Sequence, residues 1–166
     1  MKKLCILILL VFICFGCGKK EEENVEQDVL PSIEEKKIEV VDVNSKTRPY
    51  AVVVNNSTVA VKVQTGLQEA YIVYEFPVEG GLTRLMALYK DVPDFTIGTI
   101  RSSRHNFLDY AMEHDAIFVH YGWSHYAEDD ERNIGYDYIN GTLGGGPFWR
   151  ENPESLATEH TAYTSI

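Results

Sequence analysis

A chain of 166 residues with 45% apolar side chains has material for one hydrophobic core and a tail. Its 15 basic side chains against 25 acidic ones give a net charge of −10, with no basic stripe to offset it, which argues against a role in binding nucleic-acid phosphates. All three cysteines, Cys5, Cys14 and Cys17, fall in the first 17 residues, so the remainder has neither a disulfide nor a thiolate metal site.

The chain opens on MKKLCILILLVFICFGC. Lys2 and Lys3 form a basic start, and Leu4 to Phe15 form an apolar run. The run is shorter than the roughly 20 residues a spanning helix needs, but it suits a signal-peptide core. Phe15-Gly16-Cys17 resembles a bacterial lipobox, with small Gly16 before the cysteine and Cys14 where Leu is usual. Bulky Ile13 makes Cys14 the poorer acceptor. The expectation is a signal peptide over 1–16 and acylation of Cys17, holding the protein on the outer face of the cell membrane. An uncleaved N-terminal anchor is the alternative.

From Gly18 to about Lys46 the chain is rich in Glu and Lys and has no aromatic residue. Such a segment buries too little apolar surface to offset its ordering entropy, so a disordered tether is expected over 17–46 and a folded domain over 47–166.

Tyr50 to Val54 is an uninterrupted, β-branched apolar run, as in a strand buried on both faces, and Asn55-Asn56-Ser57 ends it. Gln64 to Ala70 reads as a short helical turn. In Tyr71 to Phe76, Ile72, Tyr74 and Phe76 share one face. Glu79-Gly80-Gly81 supplies a tight reversal, and Leu82 to Tyr89 returns with Leu82, Arg84, Met86 and Leu88 on one face. Arg84 thus projects from an apolar face, where a cation needs a carboxylate or a bound anion. Glu79 or Glu75 could be that carboxylate.

Ile97 to Ile100 reads as a short strand, with Gly98 marking close backbone approach or a bulge. Phe107, Leu108, Ala111 and Met112 then recur at helical spacing, and Ser102 or Ser103 can cap the helix start. Arg101 and Arg104 would flank its free N–H groups, a combination suited to an anion. An ordinary cap, with arginines paired to carboxylates, is the competing reading.

Ala116 to Gly122 is a second buried strand ending at His120, the end where ligands gather in open α/β sheets. A structural, hydrogen-bonded His is the competing reading. Ser124 to Asn133 has a helix start signal, and its acids Glu128 to Glu131 read as a solvated face. That run lacks the alternation and central Gly of a calcium loop, and no Glu follows His120 as a zincin motif requires. No metal or cofactor site is expected. GTLGGGP at 141–147 reads as a mobile loop without a P-loop Gly-Lys-Ser/Thr, anchored by Phe148-Trp149-Arg150. The segment from Glu159 to Ile166 carries no capping element, so a domain cut short at its C-terminal end is expected.

The fold expected from these elements is α/β, with α+β as the alternative: a mixed β-sheet with flanking helices. Its core would comprise Val52, Val54, Ile72, Tyr74, Phe76, Leu85, Ala87, Ile100, Phe107, Leu108, Ala111, Ile117 and Val119.

RPYAVVVNN, QTGLQEAYIVYEFPVEGGLTRLMALY, IGTIRSSR and VHYGWSHYA together resemble the YerB-type lipoproteins of Gram-positive bacteria, a family of unknown function. The resemblance implies an α/β N-terminal domain followed by a further region. It marks Glu79, Gly80, Gly81, Thr83, Arg84, Arg101, Ser102, Arg104 and His120 as signature positions. Glu159-His160-Thr161-Ala162-Tyr163 departs from the family's Pro-His-Asn-Leu-Tyr segment, which leaves His160 without an implied role.

Three functions fit. The first is a lipid-anchored envelope module binding an anionic cell-wall component through Arg84, Arg101, Ser102 and Arg104. The second is an envelope hydrolase or transferase, with Glu79 as general acid or base and His120, alone or with His160, as proton shuttle. Only Glu75 offers a second carboxylate for glycosidase chemistry, and no serine elbow or thiol nucleophile is present. The third is a scaffold docking an envelope protein.

Overall fold

The computed structural model describes residues 41–144 and 146–166. The expected signal peptide, Cys17 and most of the tether lie outside them. Eight strands and two α-helices follow in chain order: β1 (Tyr50–Asn55), β2 (Ile72–Pro77), β3 (Thr83–Tyr89), β4 (Thr96–Gly98), α1 (His105–Glu113), β5 (Ile117–His120), α2 (His125–Ile134), β6 (Tyr138–Asn140), β7 (Phe148–Arg150) and β8 (Ala162–Ser165).

Five strands form a mixed sheet in the order β2-β3-β1-β5-β6. The β2-β3 and β3-β1 pairs are antiparallel, and β1-β5 and β5-β6 are parallel. A second, antiparallel sheet has the order β4-β8-β7. The expected mixed sheet with flanking helices is present, in an α+β arrangement.

β1 lies in the middle of the five strands, which explains its unbroken apolar run. Ala51 and Val53 pack on one side with Phe76, Met86, Leu88 and Phe118, under Phe107, Leu108 and Ala111 of α1. Val52 and Val54 pack on the other side with Ala87, Ile97, Ile100, Val119 and Ala162. Two separate cores therefore share one strand. Each fully buried side chain of this size contributes roughly 1.5–3 kcal/mol.

β2 is an edge strand. Phe76 is buried, but Ile72 and Tyr74 are only partly so, like Leu85 and Ile117. The β2–β3 reversal is a short 3-10 turn, Glu79–Gly81, whose Gly80 and Gly81 take φ of 73° and 70°, conformations that favour glycine. Leu82 is half exposed rather than part of the apolar face of β3.

Two local expectations are corrected. Neither Ser102 nor Ser103 caps α1, whose N-cap is Arg104 with no side-chain bond to the helix. Both hydroxyls are drawn instead to tertiary partners: Ser102 Oγ donates to the Tyr121 carbonyl (3.1 Å) and Ser103 Oγ to Glu131 (2.6 Å). The 141–147 segment is also more structured than a bare loop. It begins with a 3-10 turn, Gly141–Leu143, in which Asn140 Oδ1 accepts from the backbone and hydroxyl of Thr142.

Candidate functional site

The parallel strands β1, β5 and β6 end on polar residues, Asn55, His120 and Asn140, all buried. The stretch between β4 and α1 is bonded across these ends. Asn55 N donates to the Thr99 carbonyl, Arg101 N to Val53 and Tyr121 N to Arg101. Ile100 N donates to Ala162 of the second sheet. One irregular segment thus joins the two sheets.

Above it lies a cleft of about 520 Å³. Ile100, Arg101, Ser102, Tyr121, Gly122, Trp123, Thr142, Arg150, Glu159 and Ala162 line it. Arg101 donates through one nitrogen to the Glu159 carbonyl (2.6 Å). Arg150 donates to the Thr158 carbonyl (2.5 Å) and to Thr161 Oγ1 (3.0 Å), with its guanidinium 4.6 Å from the centre of the Tyr121 ring. The short turn Thr158–His160 and the adjoining Thr161 therefore pin both arginines through backbone and hydroxyl oxygens. The carboxylate nearest Arg101 is Glu159, at 3.9 Å. Among the described residues no carboxylate lies within 4.0 Å of Arg150.

The sequence candidates divide among three places. Arg101 and Ser102 reach the cleft. Arg84 does not: it is 8% exposed and donates to the Ser102 carbonyl (2.5 Å), bracing the segment from beneath. Among the described residues no carboxylate lies within 4.0 Å of it, so the ion pair with Glu79 or Glu75 considered from sequence is absent. Burial, then the neighbouring Arg104 and Arg101 charges, push its guanidinium down to about 10. Arg104 is held by a two-pronged bond to Glu79 on the β2–β3 turn, with Nε 2.7 Å from Oε1 and a terminal nitrogen 2.6 Å from Oε2.

Those bonds from Arg104, foremost, hold the Glu79 carboxyl down at about 2. Such a group is ionised and occupied, which does not suit a general acid. Its folded value lies below the ordinary 4.5. The stabilisation it adds is therefore present above about pH 4.5 and is lost as the pH falls through about 2. Glu79→Gln is expected to lower the melting temperature slightly at about pH 6 and to match wild type at about pH 2, because an exposed pair contributes little. Melts of both proteins across that range check this.

His120 is wholly buried beneath the cleft wall and faces Phe118, Trp123 and Tyr138. Its Nδ1 is 2.8 Å from the Gly122 carbonyl, which can only accept, so Nδ1 carries a hydrogen. Nε2 stands 3.0 Å from Oε2 of Glu131, and neither atom has another partner. Two bare acceptors would repel there, so the pair holds one further proton, as imidazolium–carboxylate or as imidazole–carboxylic acid. Oε1 of Glu131 accepts from Ser103.

This corrects the reading of the acidic run. Glu128, Asp129 and Asp130 stay at least partly exposed, while Glu131 is 1% exposed. The signal lay in its spacing: Glu131 falls four residues after Ala127, the other buried residue of α2. In sequence Arg150 has the place of an anchor for the Gly-rich loop. Its place on the cleft follows from the β7–β8 pairing, which no local pattern reveals.

His160 is the last residue of the same turn. Asn55 Nδ2, which can only donate, is 2.8 Å from its Nδ1, so that nitrogen is unprotonated. Burial and the Arg101 charge lower its pKa. Among the described residues no cluster of His, Cys, Asp and Glu could hold a metal, and no helix is long and apolar enough to cross a membrane.

Residues 16–166 match a family model described as "Protein of unknown function (DUF3048) N-terminal domain". The chain is 35% identical over 176 aligned residues to "Putative lipoprotein YerB" of Bacillus subtilis (strain 168), an alignment covering 99% of this chain and 50% of that protein. The crystal structure of YerB protein from Bacillus subtilis is similar with a TM-score of 0.64 and 41% identity, over 71% of this chain and 40% of the other. The chain thus spans about half the length of the curated relative it matches. On this evidence the chain belongs to the DUF3048 family, within its N-terminal domain.

Proposed function

We propose that this protein is a lipid-anchored binding module of the cell envelope whose cleft accepts an anionic group between Arg101 and Arg150. One observation carries the reading: two arginines face one cleft, fixed by backbone and hydroxyl oxygens, with N–H groups to spare. In a chain of net charge −10 this is a local concentration of positive charge beside the ends of three parallel strands. The lipid anchor rests on the lipobox-like Gly16-Cys17 and on the name of the YerB relative. Cys17→Ala is expected to move the protein from the membrane fraction to the medium, read by fractionation and blotting.

Inorganic phosphate and a short glycerol-phosphate oligomer test the cleft. Either is expected to raise the melting temperature of the full chain in detergent, and Arg101→Ala or Arg150→Ala to remove most of the rise. Each substitution should weaken binding by about tenfold or more, since charge-assisted bonds contribute roughly 1.5–3 kcal/mol. A rise that survives both substitutions would place the anion elsewhere and refute the reading. The hydrolase alternative gains nothing from this geometry, because Glu79 is engaged by Arg104 and His120 is sealed from solvent.

A further inference from the structure

The cleft is not uniformly cationic. Glu159 lines it together with Arg101 and Arg150, and its carboxylate is loosely held, 3.9 Å from Arg101 and 3.7 Å from His160. Its side chain is 63% exposed. The same residue's carbonyl, not its carboxylate, is what fixes Arg101 closely. A plain anion entering between the arginines meets Glu159 as a like charge. A ligand that also carries an ammonium group meets it as a partner. At about 520 Å³ the cleft has room for both groups and the bonds between them.

Resting on the anion reading above, we infer that the ligand is a small zwitterionic unit. Its phosphate or carboxylate lies between Arg101 and Arg150, and an ammonium a few bonds away meets the Glu159 carboxylate. The remaining lining suits the link between the two charges. Tyr121, Trp123, Ile100 and Ala162 offer apolar surface, and Ser102 and Thr142 offer hydroxyls. Glu159 is then the residue that sets specificity, and the arginines set affinity.

Two matched pairs of probes separate the ammonium from the anion: O-phosphoethanolamine against ethyl phosphate, and L-alanyl-L-alanine against its N-acetyl form. Calorimetric titration of the full chain in detergent is the measurement. The zwitterion of at least one pair is expected to bind up to about fivefold more tightly than its counterpart without the ammonium, the range of one exposed ion pair. Which pair binds tells phosphate from carboxylate. In Glu159→Gln the preference is expected to vanish while the plain anion binds better, because the arginines keep their backbone partners. Equal or tighter binding of the plain anions by wild type overturns the zwitterion inference and leaves the anion reading standing. A preference that persists in Glu159→Gln overturns the role of Glu159. If neither pair nor inorganic phosphate binds wild type, both readings fall.

Discussion

Glu131→Ala is expected to lower the unfolding free energy by about 2–5 kcal/mol, the range for leaving two buried polar groups without their partner. The physical cost has two parts. His120 Nε2 loses the group with which it shares a proton, and Ser103 Oγ loses its acceptor. Both are wholly buried, so water cannot replace the missing bonds. Glu131→Gln should cost much less. Its amide oxygen can still accept from Ser103, and its NH₂ can donate to the bare imidazole nitrogen. Replacing both members, as His120→Phe with Glu131→Leu, should recover most of the loss, because apolar groups of similar shape need no partner. Urea unfolding of the four proteins, with slopes compared, measures this. Additive losses in the double variant would mean that the two residues act independently and that no proton is shared between them. The network also bears on function, because Gly122 lines the cleft and its carbonyl accepts from both His120 Nδ1 and Ser103 N.

Gly98→Ala should produce the other large effect. A Cβ there would stand 2.1 Å from Cδ1 and 2.5 Å from Cε1 of Tyr163, far inside contact distance. Gly98 and Tyr163 are direct cross-strand partners in β4 and β8, so the ring cannot swing away without disturbing the small sheet. The expected loss is about 1–3 kcal/mol, the range for overpacking a filled interior. Tyr163→Ser should be destabilising alone yet tolerated better with Gly98→Ala than without it, since the added methyl fills part of the space the ring vacates. Because β8 directly follows the turn that pins Arg101 and Arg150, Gly98→Ala should also blunt the thermal response to phosphate. A stable Gly98→Ala protein with a full phosphate response would show that the two sheets are not coupled through this contact.

Much of the fold was legible in local pattern. The unbroken run Tyr50 to Val54 announced a strand buried on both faces, and it lies between β3 and β5. Glu79-Gly80-Gly81 announced a reversal, and its glycines take the positive φ such a turn needs. Gly98 announced close approach, and the Tyr163 ring fills the space a Cβ would need. The spacing of Phe107, Leu108 and Ala111 announced the buried face of α1. These features depend on neighbours in sequence, where helical and strand periodicity make the face of each side chain readable.

The site was legible only in part. Arg84, Arg101, Ser102 and Arg104 look alike in sequence, yet one braces the backbone, two reach the cleft and one is tied to Glu79. Ser102 and Ser103 fit a helix-capping pattern, but better partners arrived from Tyr121, just after β5, and from α2. Glu131 sat in a run of acids that should have been solvated, and became buried because His120 could share a proton with it. What the sequence by itself determined is the strand and helix faces and the acidic balance, all properties of composition and short-range spacing. What only the tertiary structure decided is the order of the strands and the meeting of Arg101 with Arg150. It also decided the pairing of His120 with Glu131. In each case the partner is brought by another strand or helix, and a polar group's partner is set by which acceptor the chain carries within about 3 Å, a distance local periodicity does not encode.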